Sequence, residues 1–98
     1  MGFFSELAKR LFEKRVKFIS GGRILYRDGN RRTVLDYERM GGPDSYLHIP
    51  ISINQRWEAT SLLLTSDERA KAKKVIESVV QEKYRRRVEV EVFFEKHN

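Results

Sequence analysis

Few residues in this chain have the types and spacing that chemistry needs. Asp44, Ser45 and His48 supply the side chains of a serine hydrolase, but they fall within five consecutive positions of one loop and strand start. A triad must be brought together from separate elements that hold each member at a set angle, so this grouping does not make one. His48 and His97 are the only histidines and lie far apart in sequence, and there is no cysteine, so no metal-ligand spacing can be drawn. Glu89 and Glu91 are two residues apart on an alternating run, which places both on one exposed strand face with nothing to raise a carboxyl pKa. The pairs Gly21-Gly22 and Gly41-Gly42 lack the Lys-Ser/Thr of a phosphate loop and read as turns. No catalytic residue, metal or cofactor is expected, and the chain does not read as an enzyme.

Binding residues are better represented. Arg56, Trp57 and Glu58 follow a strand and precede a helix, and Trp and Arg are residue types that dominate protein interfaces. Trp57 is open to two readings, a core aromatic or an interface anchor. Tyr26, Arg27, Arg31 and Arg32 around the Asp28-Gly29-Asn30 turn offer a second candidate contact surface.

The 98 residues fill one domain, residues 1–98, with a modest core drawn from 40% hydrophobic residues that include eleven aromatics. Phe3, Phe4, Leu7, Ala8, Leu11 and Phe12 recur at three- and four-residue spacing, which predicts an amphipathic helix over residues 1–15. That stripe either docks on a sheet or lies at a membrane surface. Residues 16–53 read as antiparallel strands with a loop from Met40 to Ser45. Leu47, Ile49, Ile51 and Ile53 alternate with polar residues, and Pro50 points to an edge or a bulge. Thr65-Ser66-Asp67-Glu68 is a capping box opening a helix over residues 65–86, whose stripe is Ala72, Val75, Ile76, Val79, Val80 and Tyr84. Lys83, Arg85 and Arg86 are expected in its last turn, at the negative end of the helix dipole. Val88, Val90 and Val92 open a closing strand over residues 87–95. The expected fold is α+β, an antiparallel sheet of about four to five strands with an N-terminal and a C-terminal helix packed on one face.

Twenty Lys and Arg against 14 Asp and Glu give a net charge of +6. The excess attracts phosphate, anionic lipid or an acidic protein alike, and its three clusters are equally the solvated faces of helices and turns. No secretory signal and no run long enough to span a bilayer can be drawn, and the cytoplasm is the expected compartment.

The strand from Ile49 to Ile53, the Arg56-Trp57-Glu58 group, the helix start Thr65 to Arg69 and the Val88 to Glu91 strand together resemble a family of small bacterial immunity proteins. These are encoded beside polymorphic or contact-dependent growth inhibition toxins. The family pattern carries a proline soon after the tryptophan and glutamate, where this chain has Ala59-Thr60. The resemblance implies a cytoplasmic protein that neutralises a cognate toxin domain by protein binding; from the interleaved charges no specific nucleic acid is expected as a partner, and from the hydropathy no membrane span. Two other readings stay open. One is a small basic nucleic-acid-binding or ribosome-associated protein, and the other is a membrane-surface adaptor anchored by the N-terminal helix.

Overall fold

A computed structural model describes residues 15–93 of the chain. The helix expected over residues 1–15 lies outside the described residues apart from Arg15, as do the last positions of the closing strand. The described elements run in the order β1 (Val16–Ile19), β2 (Arg23–Asp28), β3 (Arg31–Asp36), β4 (Glu38–Met40), β5 (Tyr46–Ile51), α1 (Ser66–Glu82) and β6 (Val88–Val92).

The first three strands form an antiparallel meander. Gly21 and Gly22 turn the chain between β1 and β2 at φ of +80° and +72°, and Gly29 does so between β2 and β3 at +64°. Side chains bearing a Cβ rarely enter that region, so the glycines belong where the hairpins reverse. The register pairs Phe18 with Ile24 and Ile24 with Leu35, which puts Val16, Ile24, Tyr26, Thr33 and Leu35 on one buried face.

The architecture is α+β, but the sheet differs from the expected one. Instead of four to five strands in a single antiparallel sheet there are two sheets of three, ordered β1-β2-β3 and β4-β5-β6. Two physical causes explain the difference. The run from Arg32 to Glu38 reads as one strand, yet the chain bends at Tyr37, whose N–H still donates to Gly22 O at 2.9 Å while the next residues pair with β5. And β6 is parallel to β5, because α1 carries the chain back across the sheet before β6 begins.

Pro50 corrects a second expectation, since it stands in the central strand of the second sheet rather than at an edge or bulge. Leu47 donates its N–H towards β6, to Arg87 O at 2.9 Å, so by alternation the missing N–H of Pro50 faces the β4 side. There β4 has already ended, its last pair being Glu38 with His48. No ladder bond is lost.

Helix α1 begins with the capping box the sequence spells. Glu68 N–H donates to Thr65 Oγ1 at 3.1 Å, and Thr65 N–H donates to Glu68 Oε1 at 2.8 Å. Ala72, Val75, Ile76, Val79 and Val80 are buried, as their spacing requires. The helix stops at Glu82 with Lys83 as its C-cap, and Arg85 takes a left-handed φ of +55°. Lys83, Arg85 and Arg86 therefore lie beyond the last turn rather than in it.

The outer edge of β6 is covered by α1 itself. Lys73 Nζ donates to Val90 O at 2.8 Å and Val90 N–H donates to Glu77 Oε2 at 3.3 Å, so the helix's own side chains satisfy an edge that could otherwise recruit another strand. The inner faces of both sheets, the α1 stripe, Trp57 and Leu64 make one contiguous buried cluster. Val79, 2% exposed, sits in that cluster, and Val79→Ala removes two buried methyl groups there. Denaturant midpoints are expected to show a loss of about 2 kcal/mol.

Candidate protein-interaction surface

Between β5 and α1 the chain makes a long connection, residues 52–65, that contains Arg56, Trp57 and Glu58. Loops of this length usually carry exposed backbone, but this one is anchored by hydrogen bonds both to the first sheet and within itself. Gln55 Nε2 donates to Thr33 Oγ1 at 2.6 Å and to Val34 O at 2.9 Å, and the Thr33 hydroxyl donates in turn to Arg56 O at 2.7 Å. Glu58 N–H donates to Arg32 O at 2.8 Å, which binds the loop to the backbone of β3. Within the loop, Trp57 N–H donates to Leu62 O at 2.8 Å and Leu64 N–H to Gln55 O at 2.9 Å, with a bridge between Arg56 and Leu63. The segment is a miniature hairpin laid against the first sheet.

Its tip reverses through Ala59 at φ +72° and Ser61 at φ +59°. A proline ring fixes φ near −65°, so proline cannot stand at Ala59 in this conformation.

Trp57 is 1% exposed and is the largest fully buried side chain among the described residues. Its ring stacks on Tyr26, with centroids 6.2 Å apart and planes inclined by 28°. The Arg31 guanidinium stands over the same indole, Cζ lying 4.5 Å from the ring centroid, and also forms an ion pair with Glu68 at the start of α1. Burial alone would raise the Glu68 pKa. The Thr65 amide, the Arg31 guanidinium and the Trp57 indole N–H outweigh it, and the carboxyl is held below its usual range. The buried indole nitrogen meets no acceptor at hydrogen-bond geometry among the described residues, so its effect on Glu68 is that of a nearby dipole rather than of a formed hydrogen bond. Behind it, burial pushes the Tyr26 phenol up to about 12, with Asp28 adding to the effect.

The seven residues singled out from the sequence divide accordingly. Trp57 and Tyr26 are interior and cannot touch a molecule docked on the folded chain. Arg31 is a brace between the indole and the helix start. Arg32 Nε donates to Glu58 Oε2 at 2.9 Å, and both side chains are about half-exposed. Arg56 is exposed, with Nη1 donating to Ser61 O at 2.6 Å. Arg27 is exposed beside Arg32, its partner across the β2–β3 ladder, and the Glu58 carboxylate offsets that like-charge pair. Arg32, Arg56, Glu58 and Arg27 thus remain at the surface, and the rest hold the surface up.

Sequence reasoning passed over three further participants. Leu62 and Leu63 are 61% and 44% exposed on the hairpin, while Leu64 beside them is buried. Three consecutive leucines in one connection cannot all face inward, and that run is the signal the sequence carries. Arg69 is only 3% exposed, and its Nη1 donates to Leu64 O at 2.8 Å, fixing the end of the loop from inside. Its position three residues before Ala72 and seven before Ile76 places it on the buried stripe of α1.

Elsewhere, Asp44 pairs with Arg87 at 3.2 Å, and His48 Nε2 lies 3.1 Å from Glu91 Oε1 on the outer face of the second sheet. Ser45, Asp44 and His48 are not assembled into a triad. Among the described residues no group of three or more His, Asp or Glu side chains could hold a metal ion, and no helix is long and apolar enough to cross a membrane. His97 lies outside them. No protein-family model, characterised protein or solved structure matches the chain.

Two outcomes follow from this geometry. Trp57→Ala empties the site that ties the loop to β2 and should lower unfolding stability by about 3 to 5 kcal/mol, read by denaturant titration. Glu68 has a depressed folded pKa, so the stability it confers is present above the unfolded value and is lost as pH falls through the folded one. Glu68→Gln should therefore be less stable than wild type at neutral pH, and the gap should shrink as pH drops below the usual glutamate value of 4.5. Thermal melts across that range measure it.

Proposed function

We propose that this protein is an immunity protein that binds a bacterial toxin domain and neutralises it, with the hairpin of residues 52–65 as the centre of the contact. The observation that carries this reading is the exposure of Leu62 and Leu63 on a loop whose backbone is tied down at both ends. Solvent-facing leucines on a fixed loop cost hydrophobic free energy that a partner's surface would recover. Around them stand Arg56 and the Arg32–Glu58 pair, which supply the polar rim of a protein contact with its apolar centre. The resemblance of the segments around Trp57 and Thr65 to immunity proteins supports the same assignment.

In this reading Trp57 acts from behind. It holds the hairpin in one conformation, so the partner need not order a mobile loop on binding, and less free energy is lost on association. The net charge of +6 favours a toxin face rich in Asp and Glu and would speed the encounter at low salt. The protein would act in the cytoplasm of the cell that makes the toxin.

Co-expression with the toxin domain encoded next to this chain is expected to restore growth and to yield a co-purifying complex. Leu62→Asp combined with Leu63→Asp should weaken that complex by roughly 2 kcal/mol or more while leaving the melting temperature unchanged, since both side chains are exposed. A folded, soluble chain that neither rescues growth nor co-purifies refutes the assignment.

A further inference from the structure

Eight basic side chains of the described fold are engaged in ion pairs or in hydrogen bonds to the backbone. Arg31, Arg32, Lys71, Lys73 and Arg87 sit in ion pairs, while Arg23, Arg56 and Arg69 donate to backbone carbonyls. Arg39, Arg85 and Arg86 have no ion pair with another described residue, and they come together at the end of α1 remote from the 52–65 hairpin. The 17 residues of α1 separate the two ends by about 25 Å.

A cleft of about 300 Å³ opens there, lined by Phe18, Tyr37, Arg39, Leu47, Tyr84 and Arg86. Phe18 meets Tyr37 edge to face at 5.4 Å and Tyr84 at 4.6 Å, so the three rings form one half-buried aromatic wall. Arg39 and Arg86 are exposed at its sides. Lys83 Nζ lies 5.4 Å from the Tyr84 ring centroid and adds a third cation. Arg86 also borders an open depression with Gln81, Arg85, Arg87 and Val88, so positive charge continues outward from the cleft.

An aromatic wall alone would take any apolar group, and guanidinium groups alone any anion. Their combination in one cleft selects a flat π-system attached to a phosphate, and the basic continuation past Arg86 suits a second phosphate along a chain. We propose that this cleft is a binding site for single-stranded nucleic acid, one base lodged against Phe18, Tyr37 and Tyr84 and the flanking phosphates held by Arg39 and Arg86. Duplex is disfavoured, because its bases are stacked on one another and cannot enter. The contacts available are to a ring face and to phosphates, so binding is independent of sequence. This site stands apart from the proposed toxin contact and does not rest on it.

The comparison that isolates the cleft is with a second, smaller one of about 230 Å³ on the outer face of the first sheet, lined by Arg15, Lys17, Ile19, Leu25 and Arg27. It is basic but has no ring. Fluorescence anisotropy of labelled ten-nucleotide RNA and DNA strands, their duplexes and a mononucleotide competitor would read the affinity across a salt series. Single strands are expected to bind at least tenfold more tightly than duplex or mononucleotide. The Arg39→Ala/Arg86→Ala variant should lose about tenfold or more at physiological salt and lower the salt slope by about 1.4, the share of two phosphates on a single strand. Tyr84→Leu should weaken binding and leave the slope unchanged, with a melt to confirm that it folds. Lys17→Ala/Arg27→Ala should stay within about twofold of wild type.

Equal losses from both double variants would mean diffuse attraction by net charge and would overturn the proposal. So would equal affinity for duplex or mononucleotide, or binding of an acidic peptide in preference to the strand.

Discussion

The packing of Trp57 is the interaction on which the rest of this structure depends. The indole comes from the loop after β5, the phenol beneath it from β2, the guanidinium above it from the start of β3 and the carboxylate behind that guanidinium from the first turn of α1. The β2–β3 hairpin, the loop after β5 and the start of α1 therefore meet around one side chain. The first sheet has no ladder bond to the second, and it is this cluster, with the bend at Tyr37 and the core at large, that fixes the hairpin of residues 52–65 against it. The charged partners suit the position. A guanidinium laid on an indole keeps its ring contact while its edge pairs with a carboxylate, so Arg31 closes the site without being stripped of solvent on every side.

A division of labour follows. Interior residues set the shape of the loop, and surface residues are left free to bind. Arg69 and Thr33 illustrate the first role, both buried and both donating to backbone carbonyls of the loop. Leu62 and Leu63 illustrate the second. At the opposite end of α1 the same logic gives a different surface, in which arginines without a carboxylate partner among the described residues border an aromatic cleft. The helix separates an apolar patch from a basic aromatic one.

How much of this could be read from the sequence varies with the range of the interaction concerned. Local signals were reliable: the capping box at Thr65 and Glu68, the α1 stripe, and the reversals at Gly21-Gly22 and Asp28-Gly29-Asn30 each depend on neighbours within a few positions. The division into two sheets was not legible, because the bend at Tyr37 leaves the alternation of polar and apolar residues unbroken. Nor is the parallel placement of β6, since a strand's pattern does not state its direction, nor the central position of Pro50, since the pattern does not state strand order or where a neighbour ends. Trp57 could be flagged as important but not oriented, because whether an indole faces in or out depends on Tyr26 and Arg31, some 30 residues away. Phe18, Tyr37 and Tyr84 converge from three separate segments, and nothing in their spacing announces a cleft.

The central claim is that the 52–65 connection is held as a fixed hairpin by Trp57 in the free protein, before any partner arrives. Native-state hydrogen exchange of the isolated chain tests it most directly. The amides of Trp57, Glu58 and Leu64, which donate to Leu62 O, Arg32 O and Gln55 O, should be protected to nearly the same degree as those of the β2–β3 ladder. Exchange of these three amides at the rate of an open loop, with the β2–β3 ladder still protected, would contradict it.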